Sequence, residues 1–262
     1  WWPKYGAIIR EAATLDIKTI LACWESRSNK DGRIDNRREF DQMWERVLGD
    51  FSDNAYIHFE IFNEPYGYSS EEWRNEAVAW IARHGGRIRG RDRTRILVSG
   101  TGYSERLPDV AGDGRFDGCR LSFHLYTWFG GEHETVAGWR RQIEKRIGPS
   151  NAARTIVTEW GAPMRNRPRD YYAGEAPDDD RDRSYVMAMS GVIREWNMGS
   201  VYWPGLKDGD AYSLTERNDG SLILQITNES GMTQLLRSFD HGGVRGRPAG
   251  PVYNRPNAGG GR

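Results

Sequence analysis

YIHFEIFNEP, residues Tyr56 to Pro65, is the stretch on which the fold turns. Ile57, Phe59 and Ile61 alternate with His58, Glu60 and Phe62, and Asn63-Glu64-Pro65 follows at the exit. A short aromatic and β-branched run that breaks at a proline reads as a buried parallel strand. Such a strand delivers a side chain to its C-terminal rim and turns away. TIVTEWGAP, Thr155 to Pro163, has the same design: Ile156 and Val157 lead through Thr158 to Glu159, and Trp160-Gly161 breaks the run. Glu64 and Glu159 therefore stand at equivalent ends of two strands, where they can face one pocket. His58 and Glu60, inside the first run, are expected to be structural.

Working outward, four more strand-like runs start at Lys18, Arg95, Leu121 and Gly199. Apolar residues at helical spacing mark Tyr5 to Leu15, Arg38 to Leu48, Ser69 to His84, Val136 to Ile147, Arg181 to Trp196 and a short Ser230 to Arg237. Ser69 with Glu72 fits a capping box. Strands alternating with helices imply a parallel sheet and right-handed crossovers. The predicted class is α/β, a (β/α)8 TIM barrel, with six strands found where a closed barrel takes eight. The Gly/Asp-rich segment after Tyr103 is long enough to predict a rim loop. Residues 1–239 read as one barrel domain. In 240–262 Gly, Pro and Arg dominate, and a disordered tail is expected there.

Lys plus Arg and Asp plus Glu each total 37 in 262 residues, so the formal net charge is zero. That balance argues against nucleic acid or a membrane surface as partner, and no apolar run reaches transmembrane length. Two cysteines, Cys23 and Cys119, make neither a disulfide framework nor a zinc spacing. No paired-His or acidic calcium-loop pattern occurs, so neither a metal nor a cofactor is expected. A monomer is expected. Eleven tryptophans are the telling excess, because flat aromatic faces stack on sugar rings, although most are expected to fill the core.

Paired carboxylates across a sugar ring are the equipment of glycoside hydrolysis. Asn63-Glu64-Pro65, His124-Leu125-Tyr126, Glu159-Trp160-Gly161 and Trp203 also occur in an order that resembles the retaining glycoside hydrolases of family 5, the cellulase-like (β/α)8 barrels of clan A. The resemblance spans residues 1–239 and is specific as a set. It implies an extracellular enzyme that hydrolyses O-glycosidic bonds of a β-linked polysaccharide or oligosaccharide. Glu64 would be the acid/base, which needs a raised and switchable pKa, and Glu159 the nucleophile. Asn63 would bond the sugar hydroxyl beside the anomeric carbon. His124 and Tyr126, two apart and so on one strand face, would line the pocket, with the Tyr hydroxyl orienting the nucleophile. Trp203 would be the platform under the reactive sugar.

The resemblance has gaps. Many family members carry a His where this chain has Trp24-Glu25; here Trp24 is expected to stack on substrate and Glu25 to hydrogen-bond it. Tyr103 and Trp128 are further candidate stackers, and Asp208 and Asp210 candidate rim acids. The six strands match the family's third to eighth. The family's second strand would bring an Arg that holds the nucleophile ionised, and no Arg here matches it. The chain by itself is thus expected to be poorly stable or inactive. A non-catalytic carbohydrate-binding barrel stays open as an alternative, as does an unrelated (β/α)8 enzyme.

Overall fold

The computed structural model describes residues 2–25, 29–129, 135–165, 169–171, 180–217 and 223–240. The expected disordered tail lies outside them, apart from Asp240. In chain order the main elements are α1 (Trp2–Thr14), β1 (Thr19–Ala22), α2 (Arg37–Phe51), β2 (Ile57–Glu60), α3 (Ser70–His84), β3 (Ile96–Ser99) and β4 (Arg120–Leu125). There follow α4 (Val136–Ile147), β5 (Thr155–Trp160), α5 (Arg181–Glu195), β6 (Gly199–Tyr202), the hairpin strands β7 (Thr215–Arg217) and β8 (Leu224–Ile226), and α6 (Glu229–Ser238). Strands β1 to β6 pair in sequence order, every pair parallel. This is a six-stranded, curled portion of a (β/α)8 barrel. All six strands lie where the sequence predicts them; the β7–β8 hairpin has no counterpart in the sequence reading.

Local chemistry sets the helix starts. Ser69 Oγ accepts from the Glu72 amide at 3.3 Å, and the Glu72 carboxylate accepts from the Ser69 amide at 2.8 Å, closing the expected capping box. Asn36, Thr135 and Asp180 cap α2, α4 and α5, each with a side-chain oxygen that accepts from first-turn amides. Between the helices and the outer sheet face Trp44, Trp73, Trp80 and Trp139 are fully buried. Trp44 and Trp80 meet edge to face, 5.1 Å between centroids. Below β2, the buried Arg95 guanidinium donates to the carbonyls of Ile57 (2.8 Å), Ser52 (2.7 Å) and Asn54 (2.6 Å). A charge can sit there because backbone carbonyls satisfy its donors.

The segment after Tyr103 differs from the expected rim loop. It folds into short turns, Pro108–Ala111 and Gly114–Phe116, whose Val110 and Phe116 are wholly buried, as is Leu107 just before them. Widely spaced apolar residues among Gly and Asp anchor it against the barrel, where a long helix would otherwise stand.

Candidate active site

Six side chains from β2, β4 and β5 converge at one end of the sheet interior. On β4, Ser122 and His124 alternate inward with Tyr126 just beyond the strand, which is the period-two face. On β5 the pairing with β4 slips by one residue, so that His124 stands opposite Glu159 and Thr158 is passed over. The bulge lets both Thr158 and Glu159 reach the same interior: Thr158 Oγ1 lies 2.9 Å from His124 Nε2, and Tyr126 donates its hydroxyl to Glu159 Oε2 at 3.1 Å. After β2, Ser99 Oγ donates to Phe62 O (2.6 Å) and the Asn63 amide to Cys23 O (2.7 Å). Glu64 then adopts a left-handed backbone, φ +51°, which side chains rarely take and which turns its carboxylate back over the strand ends.

Glu64 and Glu159 meet around one imidazole. His124 Nδ1 is 3.1 Å from Glu64 Oε1 and 3.8 Å from Glu159 Oε2. One oxygen of each carboxylate and the His124 nitrogen all lie within 4.8 Å of one another. Glu159 is 8% exposed and burial pushes its pKa up to about 7, against the counter-pull of His124 and with further upward push from Glu64 and Glu60. Among the described residues no arginine or lysine pairs with it. For His124, burial opposes the charged form, but the hydrogen bond to Glu64 and the charges of Glu159 and Glu60 outweigh burial and raise its pKa.

The two carboxylates form the floor of a cavity of about 350 Å³, walled by Trp24, Tyr103, Tyr126, Trp128, Trp203 and Tyr212 with Asp210 at the side. Tyr126 and Trp128 stack at 4.4 Å, almost parallel, and Tyr212 closes on them edge to face. Opposite, Trp24 and Trp203 approach to 5.7 Å with half their surface exposed. An apolar, aromatic-walled cleft with two acids in its floor suits a sugar: ring faces stack while hydroxyls reach polar groups.

Other sequence candidates lie elsewhere. Glu25 does not line the cavity: its two oxygens accept from the amides of Asp31 (2.5 Å) and Gly32 (3.0 Å) and from the Tyr66 hydroxyl (3.3 Å). A carboxylate engaged by two backbone amides holds its own loop in place. Asp208 pairs with Arg217, Nε at 3.0 Å, away from the floor. Asp210 does border the cavity, held by Lys207 at 2.8 Å. Asn63 is buried beside Glu64, and its side chain makes no hydrogen bond among the described residues. Sequence reasoning missed Tyr212, which arrives from the loop after β6. It also missed Ser122 and Thr158, whose signal was a polar residue two before His124 and one before Glu159.

Among the described residues two groups have the spacing to share a cation: Glu64, His124 and Glu159, and Glu25, Asp31 and Asp35. In both, mutual or backbone hydrogen bonds already engage most of the donor atoms, and the chemistry below needs no ion there.

Among solved structures, the endo-β-1,4-glucanase from Xanthomonas axonopodis pv. citri superposes with a TM-score of 0.64 at 16% identity, over 91% of this chain and 80% of that one. The catalytic domain of Thermobifida fusca endoglucanase Cel5A gives 0.54 at 16% identity, over 90% and 74%. Thermotoga maritima Cel5A, solved with mannotriose, gives 0.60 at 13% identity, over 90% and 77%. At such identities these likenesses speak for the fold. No curated protein matches the chain in sequence. The family model described as cellulase (glycosyl hydrolase family 5) matches residues 1–204. With that match across most of its length and the barrel strands in family order, the chain belongs to glycosyl hydrolase family 5, the cellulase family, and is a glycoside hydrolase.

Proposed function

We propose that this protein hydrolyses β-linked glucan chains with retention of anomeric configuration, Glu64 acting as acid/base and Glu159 as nucleophile. One observation carries the reading: carboxylate oxygens of the pair lie within 4.8 Å across an aromatic-walled cavity. Retaining enzymes hold their carboxyl groups about 5–5.5 Å apart, whereas inverting enzymes leave about 6.5–9.5 Å for a water between them. The Xanthomonas neighbour, named an endo-β-1,4-glucanase, favours a β-1,4-glucan as substrate.

In the first half-reaction the Glu159 carboxylate attacks the anomeric carbon while Glu64 gives its proton to the departing oxygen, and the glycosidic C–O bond breaks. In the second, Glu64, now ionised, takes a proton from water, whose oxygen displaces Glu159 and frees the sugar. The Tyr126 hydroxyl orients Glu159 through its 3.1 Å hydrogen bond. Asn63 is the candidate for the hydroxyl next to the anomeric carbon, and Trp203 with Trp24 for the stacking face. Residues 1–239 form the catalytic unit, which works as an extracellular monomer; among the described residues no helix is long and apolar enough to cross a membrane.

Glu64→Gln and Glu159→Gln should each abolish release of sugar from an aryl β-cellobioside while leaving oligosaccharide binding in place. Unchanged turnover in both variants would reject the assignment. One observation favours the alternative of a carbohydrate-binding barrel without turnover: Glu159, with no arginine partner among the described residues, has its pKa pushed up to about 7, and a protonated carboxyl cannot attack. That reading predicts oligosaccharide binding with no product at any pH. The hydrolase reading predicts turnover that rises as pH climbs through 7.

A further inference from the structure

Beneath the two carboxylates of the proposed reaction lies a third that the double displacement does not use. Glu60, at the end of β2, is 3% exposed. Its Oε1 is 2.5 Å from Ser122 Oγ and 3.1 Å from Ser99 Oγ. Ser99 has one hydroxyl hydrogen, and it goes to the Phe62 carbonyl, which can only accept. Ser122 Oγ hydrogen-bonds Thr158 Oγ1, Thr158 Oγ1 is 2.9 Å from His124 Nε2, and His124 Nδ1 is 3.1 Å from Glu64 Oε1. An unbroken line of hydrogen-bonding atoms thus joins Glu60 to Glu64 by way of β4 and β5.

Each hydroxyl in the line carries one hydrogen, so once His124 has lost its second ring proton, above its raised pKa, two ways remain to polarise the line. With Glu60 protonated, donation runs from Glu60 to Ser122, to Thr158 and to His124 Nε2. The imidazole hydrogen then sits on Nδ1 and points to an ionised Glu64. With Glu60 ionised every donor reverses: Ser122 donates to Glu60, Thr158 to Ser122 and His124 Nε2–H to Thr158, while bare Nδ1 accepts from protonated Glu64. The two forms differ by one proton moved from Glu60 to Glu64. Each group between them takes one hydrogen and hands one on, so atoms and total charge are conserved.

We propose that Glu60 is a positioning residue for the acid/base, competing with Glu64 for one proton through Ser122, Thr158 and His124. The proposal rests on Glu64 being the acid/base. Facing Glu60 are His124 from β4, Glu64 from the turn after β2 and Glu159 from β5, so that with Glu60 itself three carboxyl groups surround one imidazole. Burial raises the pKa of Glu60, and His124 and Ser122 pull against it without reversing the shift. An acid that must hold a proton in one half-reaction and lack it in the next gains from a neighbour able to take up the same proton.

The test follows the two His124 ring nitrogens by 15N NMR in the full chain, assigned by their loss in His124→Asn, from acid to mildly alkaline pH. Glu60→Gln and Ser122→Ala each cut the line without touching His124. Wild-type protein should show ring-nitrogen shifts averaged between the two tautomers, and both variants should collapse them to a single tautomer. The alkaline limb of kcat/KM should also move by about one pH unit in both variants. Ring-nitrogen shifts identical in wild type and variants overturn the proposal, and Ser122→Ala decides alone should Glu60→Gln fail to fold. Because the NMR readout needs no turnover, an active Glu64→Gln enzyme would sink the acid/base assignment separately.

Discussion

The four inner strands, β2 to β5, and the two edge strands, β1 and β6, hold different parts of the site. Inner strands are flanked on both sides, and the side chains that would do chemistry, Glu159 and His124, are almost sealed from solvent at 8% and 1% exposure. Apart from the buried Tyr202 the edge strands are half-buried or exposed, and what they deliver is Trp24 and Trp203, with much of each ring face open. A group whose proton must be poised needs a dry, fixed neighbourhood that moves its pKa. A group that stacks needs only a held face. If that division is real, substitutions should separate into losses of turnover at the centre and losses of affinity at the edges.

The largest effect belongs to the centre. Glu159→Gln should lower kcat by about 10⁴-fold or more, with oligosaccharide affinity retained, as measured by initial rates and calorimetric titration. The same substitution should make the protein more stable at alkaline pH. The carboxyl has its pKa raised from an ordinary 4.5 to about 7, so between those values the native state binds more protons than the unfolded chain. Stability therefore falls as pH rises through this window, by about 3 kcal/mol in full above it and by nothing below it. His124, also raised, adds a slope of the same sign. Urea unfolding of wild type and Glu159→Gln on either side of the window should show the variant's advantage at high pH alone. An advantage that persists at low pH would assign it to packing.

Arg95 tests the centre from below. Its guanidinium is 4% exposed and pins carbonyls of Ile57, Ser52 and Asn54 under β2. Arg95→Met keeps the aliphatic stem and strands those carbonyls, at a cost of about 2 kcal/mol. The denaturation midpoint should drop while KM for any retained activity is unchanged, since the residue lies at the far end of the strands.

How much of this was legible in the sequence follows the same division. Strand positions and the facing of Glu64 and Glu159 could be read because alternation and a terminal break are local signals, whereas the place of His124 and Tyr126 beside them came from the family resemblance. Thr158 was not, because strict alternation sends it and Glu159 to opposite faces, and a one-residue slip against β4 brings both inward. The hydrogen bonds of Glu60 could not be foreseen for a related reason: its partners Ser99 and Ser122 lie on other strands, 39 and 62 residues away. A rim glutamate and a loop-clasping glutamate look alike in sequence, so the bonds of Glu25 to the Asp31 and Gly32 amides could not be foreseen. The segment after Tyr103 looked like a rim loop because Gly and Asp hide the anchoring of Leu107, Val110 and Phe116. Local pattern gives the frame; pairings across strands give the polar interior.

The smallest effects should come from the edges, and they bear most directly on the division of labour. Trp24 follows β1 and Trp203 follows β6, yet their rings lie 5.7 Å apart, tilted by 35°. The two ends of the sheet thus meet at the rim through aromatic faces that no backbone hydrogen bond joins. Removing either ring by substitution to Ala deletes a stacking face worth about 1 kcal/mol and little buried area, since each is close to half exposed. KM should rise by about fivefold with kcat nearly unchanged, and the melting temperature should stay close to wild type. Because the rings also touch each other, the double variant should lose less than the sum of the single losses. A fall in kcat matching that of Glu159→Gln would mean that the edge aromatics hold the acids in place as well as the sugar, and the separation of centre from edge would be wrong.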